Sequence, residues 1–67
     1  MLPVETTTEQ LRKRRPTQLI FDFESVVKEK CKQRYKYDDF EEYQKLDDLS
    51  ERIIMVINEY VSKGGEL

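Results

Sequence analysis

The stretch from Asp38 to Gly65 constrains the fold more than any other part of the chain. Leu46, Leu49, Ile53, Val56 and Tyr60 recur there at alternating spacings of three and four residues, and Ile57 and Val61 widen the stripe. That period draws one apolar seam along a helix. Asp38 suits the N-cap, with Glu41 at the third helical position, and Gly64-Gly65 supplies a stop. Glu41 and Lys45, Asp48 and Arg52, and Glu59 and Lys63 are i,i+4 pairs with the acid first, the orientation that supports a helix. The spacing predicts a helix over about 39–63.

Upstream, Ile20, Phe23, Val27, Cys31 and Tyr35 fall three or four residues apart and predict a second helical face over about 19–35, with Glu24 placed to support Lys28. Its beginning is open. Thr17 to Phe23 partly alternates and is rich in β-formers, so strand and helix both fit. Residues 36–38 make a turn short enough to set the two helices antiparallel. The expected architecture is an all-α helical hairpin occupying residues 17–67. Residues 1–16 form a flexible or weakly helical arm. In it, Thr6 or Thr7 with Glu9 or Gln10 three positions on resembles a capping box, and a short helix over about 8–15 would stop at Pro16.

Sixty-seven residues leave such a hairpin short of core, since roughly 60 % of the unfolded surface can be buried at this size. The chain has no His, and Cys31 is its one cysteine, which excludes an internal disulfide and a Cys/His zinc cluster. A partner is the remaining support. The helix lengths say where it should sit. At 1.5 Å per residue the second helix is roughly 37 Å long and the first roughly 25 Å, so the first runs out opposite about residue 55. Ile53, Val56, Ile57, Tyr60 and Val61 are then the expected protein interface, covered by a second copy in a homodimeric four-helix bundle or by another protein. The other cover at hand is the arm itself, whose Leu2, Val4 and Leu11 could fold over this end and close a three-helix monomer.

Charge is unevenly spread around a net −2. Residues 1–37 carry nine Lys/Arg against five Asp/Glu, and residues 38–67 three against nine. Most of this suits the hairpin: Lys28, Lys30, Lys32, Arg34 and Lys36 crowd the C-terminal end of the first helix, and Asp38, Asp39, Glu41 and Glu42 open the second, each complementing its helix dipole. Arg12-Lys13-Arg14-Arg15 is the one compact basic cluster; with Gln18 it forms the subordinate candidate for nucleic-acid contact. Tyr35, Tyr37, Phe40 and Tyr43 bracket the turn and read as the cluster that closes the hairpin, with a base-stacking platform as the second reading.

Catalysis finds little to work with. Without His the usual general base at neutral pH is gone, and Ser25, Ser50, Ser62 and Cys31 have no activating neighbour in sequence. Cys31 is expected on the buried stripe. Asp38-Asp39, Glu41-Glu42 and Asp47-Asp48 lack the spacing and the glycine of a calcium loop, and no glycine-rich phosphate loop occurs. The expectation is a protein that is not an enzyme and takes no cofactor or metal. The longest apolar run, Ile53 to Ile57, falls far short of the ~20 residues that span a bilayer. The N-terminus has no apolar core of a secretory signal, and a complete, cytoplasmic gene product is expected.

From Pro16 to Gly64 the outline resembles the ribbon-helix-helix repressors: basic arm, short alternating strand over Thr17 to Phe23, helix, turn, helix. The resemblance implies a dimer whose paired strands read the major groove through Gln18 and Asp22 with Thr17 or Ile20. Asp22 and the length of the second helix depart from that pattern. With Tyr43-Gln44 early in the second helix and aliphatics late, the hairpin is also similar to the small co-chaperones of type III secretion needle proteins. Leu49-Ser50 with Ile57-Asn58-Glu59-Tyr60 resembles the bacterial sporulation phosphatases of phosphorylated response regulators, but Ile54 stands where that signature has an aspartate. These residues assign no family. The functional expectation is a small interaction module, an adaptor, co-chaperone or regulator, with a dimeric ribbon-helix-helix repressor as the alternative.

Overall fold

The computed structural model describes residues 2–64. They form three helices, α1 (Thr8–Arg12), α2 (Pro16–Tyr35) and α3 (Phe40–Ser62), with no strand among the described residues. The helices make a rod of 39 × 18 × 17 Å in which α2 and α3 pack as an antiparallel hairpin and α1 lies against α3. No helix among the described residues is long and apolar enough to cross a membrane.

Residues 17–23 are helical throughout, so the reading strand that the ribbon-helix-helix resemblance needs is absent. Pro16 decides this locally. It stands at the first turn of α2, where its fixed φ is already helical and its missing N–H costs no bond. Just ahead, the Arg15 N–H donates to Gln18 Oε1 (3.4 Å). α2 therefore starts at Pro16 rather than about residue 19.

The buried face of α2 differs from the expected stripe. Leu19 and Val26 are fully buried, with Phe23 packed beside them, whereas Cys31 and Tyr35 are exposed. The register 19-23-26 continues through Lys30 and Gln33, which are half-buried. Apolar letters suggested 27-31-35, but the helix keeps its seam by burying the stems of polar side chains and turning their heads to partners. Lys30 Nζ meets Asp47 Oδ1 on α3 at 3.0 Å, and Gln33 Nε2 donates to Glu29 Oε1 at 3.3 Å.

On α3 the expected seam holds: Leu46, Leu49, Ile53 and Val56 are fully buried and Tyr60 packs against them. The cap falls one residue later than the sequence suggests. Asp39, not Asp38, accepts from the Glu42 N–H (3.1 Å), and Asp38 turns the chain with φ 52, a left-handed conformation that Asp adopts more readily than most residues. The Asp39 N–H donates to Gln33 O (2.8 Å), so the connection spans residues 36–39. Gly64 ends α3 at φ 77, as the glycine stop required; Gly65 lies outside the described residues.

Residues 2–15, the lead-in to α2, lie as a third layer over the far end of α3. Thr6 folds back on Pro3, its Oγ1 donating to Pro3 O at 2.6 Å. Thr7 and Gln10 form a complete capping box: the Gln10 N–H donates to Thr7 Oγ1 (3.3 Å) and the Thr7 N–H to Gln10 Oε1 (3.0 Å). A five-residue helix would not persist alone. Leu11, fully buried in the same core as Leu19, Ile53 and Val56, ties it down. Leu2 and Val4 pack against that core from outside. Three polar anchors bind the lead-in to α3 across 46 to 48 residues of sequence. Arg52 donates to Val4 O (2.6 Å) and Thr6 O (3.0 Å), the Tyr60 hydroxyl lies 3.2 Å from both Arg12 O and Arg14 O, and Arg12 pairs with Glu59.

Candidate functional site

Of the five residues expected at a protein interface, Ile53 and Val56 lie wholly inside the chain's own core, and Ile57 and Tyr60 are half-buried against it. Only Val61 is exposed. α2 runs three residues further back than expected, and α1 with Leu2 and Val4 takes up the rest of the overhang. The apolar surface left on α3 is shifted around the helix. Ile54 and Val61 are exposed two turns apart on one side, with half-buried Ile57 between them, and Met55 is exposed beside them. Ile54 and Met55 line a shallow groove of about 600 Å³ together with Glu51, Asn58, Glu59, Ser62 and Lys63.

The basic cluster is half consumed by the fold. Arg12 makes a two-pronged pair with Glu59, Nε to Oε1 at 3.0 Å and Nη2 to Oε2 at 3.1 Å. Those hydrogen bonds, and then the charge, hold the Glu59 carboxyl below the usual carboxylate range and the Arg12 guanidinium above its ordinary value. Arg14 grips Asp22 at 2.6 and 3.4 Å. Lys13 and Arg15 remain exposed, and Gln18 is exposed with its side-chain oxygen on the Arg15 N–H. The i,i+4 pairs expected along the helices are not among the ion pairs formed; Glu59 and Arg52 serve the lead-in instead. Sequence spacing reveals pairs within a helix, while pairs across 46 or more residues leave no local mark.

The aromatics at the turn do not close the hairpin as expected. Tyr35 is 80 %, Phe40 70 % and Tyr37 57 % exposed, and only Tyr43 is half-buried. Phe40 and Tyr43 sit 6.2 Å apart, centroid to centroid. Cations from α2 take the closing role, Lys30 and Arg34 lying 5.7 and 5.5 Å from the Tyr43 ring; Arg34 also lies 5.7 Å from its neighbour Tyr35, and Lys36 5.5 Å from Tyr37. Arg34, Tyr35, Asp38, Asp39, Phe40 and Tyr43 line a second depression of about 350 Å³. Residue order sets these rings at the turn but leaves their exposure open, because exposure depends on how far the helix seam extends toward the tip. The chain matches no known family model, no curated protein and no solved structure.

Proposed function

We propose that the chain is a small non-enzymatic interaction module, an adaptor, co-chaperone or regulator, which docks a protein partner through the apolar flank of α3. One observation carries the reading: Ile54 and Val61 stand exposed two turns apart on a helix whose opposite face already completes the core. Scattered exposed aliphatics are ordinary. Here Ile54, Ile57 and Val61 share one side at i, i+3 and i+7, the spacing by which a helix offers anchors to an apolar groove. A partner helix or groove of aliphatic character fits it, and a second copy laid along α3 would give the four-helix bundle expected from the sequence. A cytoplasmic setting suits the one exposed thiol, Cys31.

The test is affinity capture with the wild type and with Ile54→Asp/Val61→Asp, after confirming equal thermal melting. A protein retained by the wild type and lost by the double variant supports the flank. An unchanged set of captured proteins, or retention of nucleic acid alone, overturns it.

A further inference from the structure

The hairpin tip carries a second surface, independent of the α3 flank. Within six residues Tyr35, Tyr37 and Phe40 hold three rings largely in water, and none of the three contributes to the core. Aromatic and Arg side chains are the usual anchors of protein interfaces. Charge narrows what could cover them. The last turns of α2 bring Lys32, 3.9 Å from Glu29, and Arg34, its C-cap is Lys36, and the turn with the start of α3 brings Asp38, Asp39, Glu41 and Glu42. Each set suits its own helix end, which accounts for the charges but not for the exposed rings. Together they make a patch with a basic side and an acidic side. A nucleic acid would set phosphates against four carboxylates. A uniformly charged protein would meet like charge over half the patch. A second copy, rotated by a two-fold axis so that its α3 stands opposite α2, sets basic against acidic on both sides with the rings between.

We propose that the tip is a self-association surface through which two copies of the chain meet end to end in an isologous contact. Rings of roughly 150–250 Å² each, three from each copy, bring the contact to the low end of interface sizes, so the dimer is weak. Because its charges lie at the rim in water, salt weakens it further.

Sedimentation velocity over a wide concentration range, at low and high salt, reads this directly. The wild type should show a concentration-dependent rise in mass, and Tyr35→Ser with Phe40→Ser should weaken association at least about tenfold, a change of about 1.4 kcal/mol. Charge reversal supplies the specific arm. Lys32→Glu/Lys36→Glu and Glu41→Lys/Glu42→Lys should each fail to self-associate, yet associate with one another when mixed, because the two-fold contact then pairs opposite charges on both sides. Far-UV circular dichroism checks each fold; should the reversal in α3 melt its first turn, Tyr35→Ser/Tyr37→Ser, outside core and caps, still decides. A wild type monomeric throughout, self-association lost only on Val61→Asp, or folded reversed variants that stay apart on mixing would each overturn the proposal.

Discussion

At the end of the hairpin remote from the turn, Leu11, Leu19, Ile53 and Val56 have lost all contact with water, while at the turn end Tyr35, Tyr37 and Phe40 stand in it. Both ends belong to the same two helices. At the far end, aliphatic side chains from three segments interlock, and the polar groups nearby bind backbone carbonyls of the lead-in. Toward the turn the apolar seam stops at Leu46; the helices are joined beside it by Lys30 with Asp47, and beyond it by cations stacked on Tyr43. Water competes for charged and stacked contacts far more than for buried methyl groups. The difference teaches where the fold draws its stability: from the end that includes the lead-in, leaving the tip free to be built for another purpose.

The largest break in that comparison should come from paired truncations at the two ends. Leu11→Ala removes a fully buried side chain from the core and should cost roughly 2–5 kcal/mol, a large share of the roughly 3–10 kcal/mol typical of a domain this size. Phe40→Ala deletes a larger but mostly exposed ring and should change stability by less than about 0.5 kcal/mol. Urea midpoints of the two variants decide it. A Leu11→Ala loss as small as that of Phe40→Ala would show that the lead-in is a passive arm and that the hairpin core carries the fold alone.

A middle-sized effect should sharpen the role of the polar anchors. Arg52→Met keeps the stem but removes donors to Val4 O and Thr6 O, bonds to a charged group that are worth roughly 1.5–3 kcal/mol each when made well. The loss should be local. Amide hydrogen exchange should quicken over residues 4–12, with protection of Leu46 to Ile53 following only the fall in global stability. Uniform acceleration along α2 and α3 would mean that the lead-in and the hairpin open as one unit.

How much of this was legible in the sequence also divides by region. The α3 seam was readable because Leu46, Leu49, Ile53 and Val56 repeat in a strict helical period, and the Thr7–Gln10 capping box because both partners lie three residues apart. The α2 face was not, since its inward register passes through Lys30 and Gln33, and the apolar letters of Cys31 and Tyr35 point elsewhere. Helix lengths read from the sequence leave the far end of α3 open, but that end is covered within the chain. Leu11 fills it, held by Arg52, Tyr60 and Arg12, three contacts whose partners lie too far apart in sequence for any local pattern to announce. Because Ile53 and Val56 are covered from within, the aliphatics that α3 leaves in water include Ile54 and Val61, further around the helix.

The smallest effect concerns pH at the far end. Glu59 bonded to Arg12 has its folded carboxyl pKa depressed, chiefly by that hydrogen bond and further by the charges of Arg12 and Lys63. A group of this kind contributes stability that is fully present above its unfolded pKa and disappears as pH falls through the lower folded value. Both side chains are partly exposed, so the contribution is modest and screened by salt. Glu59→Gln should therefore sit slightly below the wild type near neutral pH, and the gap should close as the solution is taken down through the acidic range. Urea midpoints of both proteins against pH, at low and high salt, measure it. A gap that stays constant with pH would assign the Glu59 contribution to packing rather than charge, and the far end would then be held by the core and by the Arg52 and Tyr60 bonds alone.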